Sequence, residues 1–352
     1  MAVEWIAFHL TDRCQLDCQH CLRDPDKKPK DLPLELITKA LIEGKRIYNA
    51  EHAAFTGGEP TLHPQFREVI DTAVDLGYTW HIVSNGRTLP WLLELFRERP
   101  LRRERMSSIS FSLDGADEAM HDSIRGRGSY REVMTALSLC SALDIPFVFN
   151  TTLQARNAPQ LEAFGLLASQ LGAARLSFVQ MQPTGTAHDQ GFYLSASEWQ
   201  GVMDRIDRLA AALKLPVSVA EGFYKPQPFY TCQAFAGQQL HIDVEGNLNL
   251  CCQHAGIPSQ GDLSDLAGNL RDMSLPRAHE KLLGIIHEAQ VDRVAQLARG
   301  EVDEGWDKFP CNACLKRYGK PHWVDGGVGG PAATRERWRG AWSPKRLPIV
   351  AG

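Results

Sequence analysis

Short apolar segments alternate with helix-length stretches through most of this chain, and no other feature limits its fold as strongly. Trp5 to Leu10, Ala53 to Phe55, Thr79 to Ser84, Ser107 to Ser112, Phe147 to Thr152 and Arg175 to Val179 read as strands. Between them, Leu34 to Tyr48, Phe66 to Leu76, Leu89 to Phe96, Tyr130 to Ala142 and Pro159 to Leu171 carry apolar residues at helical spacing, and Glu198 to Leu213 adds one more helix. Strands joined through helices pair in parallel, because the crossover returns each strand to the same end of the sheet. Six such units predict an α/β fold, a partial (β/α)6 barrel of the TIM type that stays open. In such a barrel the loops leaving the strands build the reactive face.

The loop after the first strand contains Cys14, Cys18 and Cys21 in the run LTDRCQLDCQHCLRD, a C-x3-C-x2-C spacing. Three soft thiolates so close together suit three irons of a 4Fe-4S cube, leaving one iron without a protein ligand. A closed structural zinc site would require a fourth protein ligand nearby. After the second strand, AFTGGEP places Gly57 and Gly58 where backbone can approach a ligand that a Cβ would obstruct, and puts Glu59 where its carboxylate can receive an ammonium group. Ser112 and Asp114 leave the fourth strand toward the same face, and the planar fork of Arg125 suits a carboxylate.

These segments resemble the radical S-adenosylmethionine enzymes. The three cysteines match the family's CxxxCxxC, AFTGGEP its GGEP loop and IVSNG, Ile82 to Gly86, its third-strand ending. SFSLDGADEAMHDSIRGRGSY, Ser110 to Tyr130, and VQMQPTG, Val179 to Gly185, are similar to its later strand exits. The resemblance implies a cluster whose open iron binds S-adenosylmethionine and cleaves it to a 5'-deoxyadenosyl radical that abstracts substrate hydrogen. It implies cofactor contacts for Gly57, Gly58, Glu59, Asn85, Ser112, Asp114 and Arg125, with Glu59 on the methionine ammonium. His20 stands where relatives carry an aromatic residue against the adenine. A low-potential electron donor such as flavodoxin or ferredoxin is the implied partner.

A second cysteine set follows in TCQAFAGQQLHIDVEGNLNLCC, Thr231 to Cys252, joined later by Cys311-x-x-Cys314. HIDV and LNL read as a hairpin with Gly246 at the position needing positive φ, which brings Cys232 and Cys251 together. With Cys311 and Cys314 they make four thiolates, enough to enclose a second 4Fe-4S cluster, although a structural zinc satisfies the same spacing. The region resembles a truncated SPASM, or twitch, module. The expected organisation is a radical core over 1–220, a small α+β iron-sulfur domain over 221–325 and a tail over 326–352. Cys251 fits the module's spacing and leaves Cys252 as surplus, although Cys252 could replace it as the ligand; otherwise Cys252 is either a packed thiol or a hydrogen donor beside the substrate, and Cys140, inside a helical run, belongs to the core.

With 38 basic against 42 acidic residues the formal charge is -4, so no global field recruits nucleic acid. No run of about 20 apolar residues spans a bilayer and no cleavable leader is evident, so a soluble cytoplasmic protein is expected. The run RERPLRRER, Arg97 to Arg105, reads as a solvated turn. The expected chemistry is oxidative modification of a peptide or small hydroxylated metabolite. Redox-neutral epimerisation with Cys252 as hydrogen donor, and a catalytically inactive zinc-bearing scaffold, are the alternatives.

Overall fold

The computed structural model describes residues 3–22, 28–184, 193–194, 196–220, 222, 224–225, 232–303 and 307–321. The strand–helix alternation is realised as β1 (Trp5–Thr11), α1 (Leu34–Tyr48), β2 (His52–Gly57), α2 (Phe66–Asp75), β3 (Thr79–Ser84), α3 (Leu89–Glu98), α4 (Leu101–Glu104) and β4 (Met106–Ser112). It continues through α5 (Glu118–Arg125), α6 (Ser129–Ala142), β5 (Phe147–Leu153), α7 (Leu161–Leu171), β6 (Arg175–Gln180) and α8 (Ala196–Ala212). Then come β7 (Val217–Val219), β8 (Gln239–Ile242), β9 (Asn247–Asn249), β10 (Leu266–Asn269), α9 (Leu275–Ala298) and α10 (Pro310–Arg317). The expected tail, 326–352, lies outside the described residues, as does Gly185 of the sixth-strand exit.

The ten strands among the described residues form one open sheet in the order β10-β9-β8-β1-β2-β3-β4-β5-β6-β7. From β1 to β7 each strand pairs in parallel with the next. The anticipated hairpin is present as antiparallel β8 and β9, and Gly246 takes φ +85° in its turn. Its placement is new: β8 pairs in parallel with the free side of β1, matching Ile6 to Leu240 and Phe8 to Ile242. The second cysteine region therefore extends the barrel sheet directly.

Strand alternation divides the two faces. Ile6, Phe8 and Leu10 are fully buried on the helix side, where Gly44 of α1 lets the helix lie against Ile6. On the other face His9, Thr56, Val83, Ser112 and Asn150, from β1 to β5, border a cavity at the carboxyl ends of the strands, four of the five being polar. Deeper on that face, Ala7 pairs with both Ala54 and His241, and Ala54 pairs with His81, so two small residues separate two imidazoles.

Most of the arginine-rich run is exposed, as expected of it, but Arg102 is not. Arg102 in α4 is only 4% exposed; Nε and Nη2 donate to the two oxygens of Asp71 at 2.9 and 2.8 Å, and Nη1 donates to Leu95 O at 2.8 Å. Arg99 donates to Asp71 as well, at 2.8 Å. A planar fork can satisfy a carboxylate and a helix-end carbonyl together, so the run clamps α2 to α3 and α4. Charge counting in the sequence does not show that pairing.

Burial pushes the pKa of His81 and of His241 from the ordinary 6.5 down to about 4. An imidazole kept neutral in the folded chain but free to protonate in the unfolded chain lowers stability as pH falls from about 6.5 toward 4. Replacing His241 with Gln should therefore weaken the acid loss, by about 1–2 kcal/mol between pH 7 and pH 5. Urea unfolding of the two proteins at both pH values measures the difference; equal losses would contradict a buried neutral His241.

Candidate functional site

The loop leaving β1 carries Cys14, Cys18 and Cys21 and is tied down from three neighbouring elements. Gln19 N–H donates to Ile124 O of α5 at 3.0 Å, and Arg87 Nη1, after β3, donates to Gln15 O at 3.1 Å. Gly58 N–H donates to Thr11 O and Glu59 N–H to Arg13 O, each at 2.7 Å, so the end of β2 continues to pair along the loop's entry. A Cβ on Gly58 would lie 2.8 Å from the carbonyl carbon of Arg13 and 2.9 Å from Asp12 O, which explains the need for glycine there.

Side chains then reach the sulfurs. Asn85 Nδ2 donates to Cys14 Sγ at 3.9 Å and Arg125 Nη1 to Cys18 Sγ at 3.8 Å, while Leu16 N–H donates to Cys14 Sγ at 3.4 Å. Burial pushes the Cys18 thiol up to about 12; Arg125 opposes that rise, and the neighbouring Cys21 and Cys14 add to it. The three thiols thus share one electrostatic neighbourhood, although among the described residues no three His, Cys, Asp or Glu side chains are closed around a single ion position. Three soft sulfurs, two of them receiving side-chain N–H groups, fit an iron-sulfur cube with one open iron.

Glu59 is fully buried beneath the cavity floor. Its carboxylate accepts from Thr61 Oγ1 at 2.7 Å, from Ser84 Oγ at 3.1 and 3.2 Å, and from Asn85 N–H at 2.8 Å. Burial raises its pKa, against the pull of those hydrogen bonds. Gly57, Gly58, Ser84, Asn85 and Ser112 border the cavity, and Glu59 fixes two of them from behind. Thr61 and Ser84 were not singled out in the sequence, where Thr61 follows GGEP and Ser84 ends the third strand as ordinary polar residues.

Asp114 and Arg125 meet each other. Arg125 Nε donates to Asp114 Oδ2 at 2.5 Å, His20 Nε2 stands 3.5 Å from the same oxygen, and Thr152 N–H donates to Oδ1 at 2.8 Å. Burial alone would raise the Asp114 pKa, but Arg125 and the imidazoles of His20 and His121 hold it below the ordinary carboxylate value. His20 borders the cavity, and burial pushes its own pKa down to about 4. His121, part of the family-like stretch but given no role from the sequence, accepts Asp114 N–H on its Nδ1 at 3.2 Å. The short helix carrying it was missed, although Asp117 announced it, accepting Met120 N–H at 2.8 Å as an N-cap.

The second thiol set gathers around the β8–β9 hairpin and α10. Cys311 feels the charges of Cys251, Cys314, Cys232 and Cys252, and Cys314 those of Cys251 and Cys232. A hydrogen bond between the adjacent thiols, reinforced by burial, pushes Cys251 up, and the same bond holds Cys252 below its ordinary value. Cys252 is exposed, and it borders the cavity of about 900 Å³ that also touches Cys14, Cys18 and Cys21. Cys140 is buried inside α6, as expected.

Residues 8–157 match the model of the Radical SAM superfamily. Over those residues the chain matches a radical S-adenosylmethionine core. Among curated proteins it is 28% identical over 297 residues to an AdoMet-dependent heme synthase of Oleidesulfovibrio alaskensis, covering 80% of this chain and 75% of that protein. To the PqqA peptide cyclase of Bradyrhizobium diazoefficiens it is 26% identical over 320 residues, 88% of this chain and 78% of the relative. Coverage of other curated relatives is shorter, down to 46% of their length. In structure it is similar to Streptococcus suis SuiB bound to S-adenosylmethionine, with TM-score 0.61 at 12% identity over 78% of this chain and 64% of that one, which establishes a shared fold. No helix among the described residues is long and apolar enough to cross a membrane.

Gly58→Ala should push the cysteine loop off the end of β2, with a loss of about 1–3 kcal/mol in urea unfolding. Gly201→Ala, in α8 where nothing lies within 4 Å of the added methyl, should leave stability equal or higher. Equal behaviour of the two variants would show that the close approach at Gly58 is not restrictive.

Proposed function

We propose that the protein is a radical S-adenosylmethionine enzyme that oxidatively modifies a peptide or small hydroxylated metabolite. One observation carries the reading: the three-thiol loop and a thiol of the second set face a single cavity of about 900 Å³ at the carboxyl ends of the strands. When bound, a 4Fe-4S cluster on Cys14, Cys18 and Cys21, with S-adenosylmethionine, supplies a radical able to take a hydrogen atom from carbon. The protein's own part is to hold and screen. Gly57 and Gly58 let the cofactor lie on the backbone, Ser84, Asn85 and Ser112 offer hydrogen bonds, Arg125 and Asp114 border the cluster side, and His20 offers a ring face to the adenine. Glu59 acts from below as a positioning residue for Ser84 and Asn85.

Cys232, Cys251, Cys311 and Cys314 are assigned a second 4Fe-4S cluster, which fits an oxidation because a second electron must leave the substrate after hydrogen abstraction. A flavodoxin or ferredoxin type donor supplies the separate electron that the cluster on Cys14, Cys18 and Cys21 needs. The likeness to the PqqA peptide cyclase over 88% of this chain supports a peptide substrate, and the likeness to the heme synthase over 80% supports a small molecule. The exposure of Cys252 to the cavity favours a second reading, redox-neutral inversion of a carbon centre, in which the Cys252 thiol returns a hydrogen to the substrate radical.

Anaerobically reconstituted protein should bind about eight irons and cleave S-adenosylmethionine when reduced. Cys18→Ala should abolish 5'-deoxyadenosine, and replacing Cys14, Cys18 and Cys21 together should leave about four irons. Continued cleavage by Cys18→Ala would overturn the radical site, and one zinc without iron in the triple variant would overturn the second cluster.

Product mass separates oxidation from inversion. Oxidation makes the product two mass units lighter, unaffected by Cys252→Ala. Inversion leaves the mass unchanged in ordinary water and adds one unit in heavy water, because a thiol hydrogen exchanges with solvent, and Cys252→Ala then abstracts hydrogen without returning one.

A further inference from the structure

The sulfur of Cys18 receives a charged donor. Arg125 Nη1 lies 3.8 Å from Cys18 Sγ, and its Nε donates to Asp114 Oδ2 at 2.5 Å. Both charges are buried, Arg125 at 8% exposure and Asp114 at 0%. The pair is also rigidly held: Asp114 Oδ1 accepts Thr152 N–H at 2.8 Å, Asp114 O accepts Asn157 Nδ2 at 3.1 Å, and Arg125 ends the capped helix α5. Cys14, by contrast, receives the neutral amide of Asn85 at 3.9 Å.

We propose that Arg125 and Asp114 form a buried charge couple that sets the reduction potential of the cluster held by Cys14, Cys18 and Cys21. The inference rests on the radical-site reading above. Reduction adds one electron, from a donor of the flavodoxin or ferredoxin class, and makes the cluster more negative. An N–H group aimed at a ligand sulfur stabilises that added charge, and in a buried site it acts with little screening by water. A lone guanidinium would act as a full positive charge and raise the potential further. Asp114 cancels the net charge and leaves an oriented dipole, so the couple moderates the potential while keeping the hydrogen bond to sulfur. Neither residue exchanges a proton or a bond in the step; both are positioning residues.

Opposite charge deletions distinguish this role from simple support of the loop. The full-length protein, reconstituted anaerobically, is titrated electrochemically without S-adenosylmethionine while the paramagnetic signal of the reduced cluster is followed. The relevant signal is the one that changes when S-adenosylmethionine is later added, since only an open iron binds it. Arg125→Met should shift the midpoint to lower potential, and Asp114→Asn should shift it to higher potential. Arg125→Met combined with Asp114→Asn should fall between Arg125→Met and the unaltered protein, and Arg125→Lys should recover part of the loss. Midpoints equal across the variants, or shifts of the same sign for Arg125→Met and Asp114→Asn, would overturn the proposal. So would loss of the cluster in both single variants, which would make the pair a structural brace. Absence of any signal responsive to S-adenosylmethionine in the unaltered protein would instead defeat the radical-site reading itself.

Discussion

β1 is hydrogen-bonded along both sides, to β2 and to β8, and the chemistry of the molecule hangs from that double pairing. The loop at its carboxyl end carries the first three thiols. β8, lying beside it and running the same way, delivers the turn and return strand that end at Cys251 and Cys252. Because β9 runs back antiparallel to β8, Cys251 and Cys252 do not leave from the carboxyl end of β8 as the first thiol loop leaves from that of β1, yet one cavity borders Cys14, Cys18, Cys21 and Cys252.

Below that cavity the fold concentrates polar groups that would be expensive alone. Glu59 has no counter-charge bonded to it among the described residues and relies on two hydroxyls and backbone N–H groups, whereas Asp114 is neutralised by Arg125. A buried acceptor left without its donors costs about 1–3 kcal/mol, so these networks hold together or fail together. That coupling explains why residues on β2, β3, β4 and α5, far apart in sequence, fix one short loop. Preorganisation of this kind suits a site where a reactive intermediate must meet one atom and no other.

Much of this was legible from the chain because period-two and period-3.6 patterns are local. α1 and β3 span the residues read for them, and the other anticipated strands differ at their ends by one or two residues. What escaped was non-local or short. β7 and β10, at three and four residues, are too brief to show alternation. Nothing in HIDV reveals that it will pair with β1, since a strand's partner depends on which edge the rest of the sheet leaves open. Similarly, GGEP marks Glu59 as important without revealing whether its carboxylate faces the cavity or the hydroxyls beneath it. Cys252 was recognised as surplus by spacing; only the cavity gave that surplus thiol a place.

The continuous sheet also bears on how the protein comes apart. If the hairpin detached, for instance after loss of the metal expected to hold its thiols, β1 would be left with a bare row of amide and carbonyl groups at the margin of the barrel. Such a margin is a template for pairing with another chain. Damage to the iron-sulfur end of this molecule would then be felt as self-association of the barrel, and a fragment cut at residue 220 would begin life with the same defect.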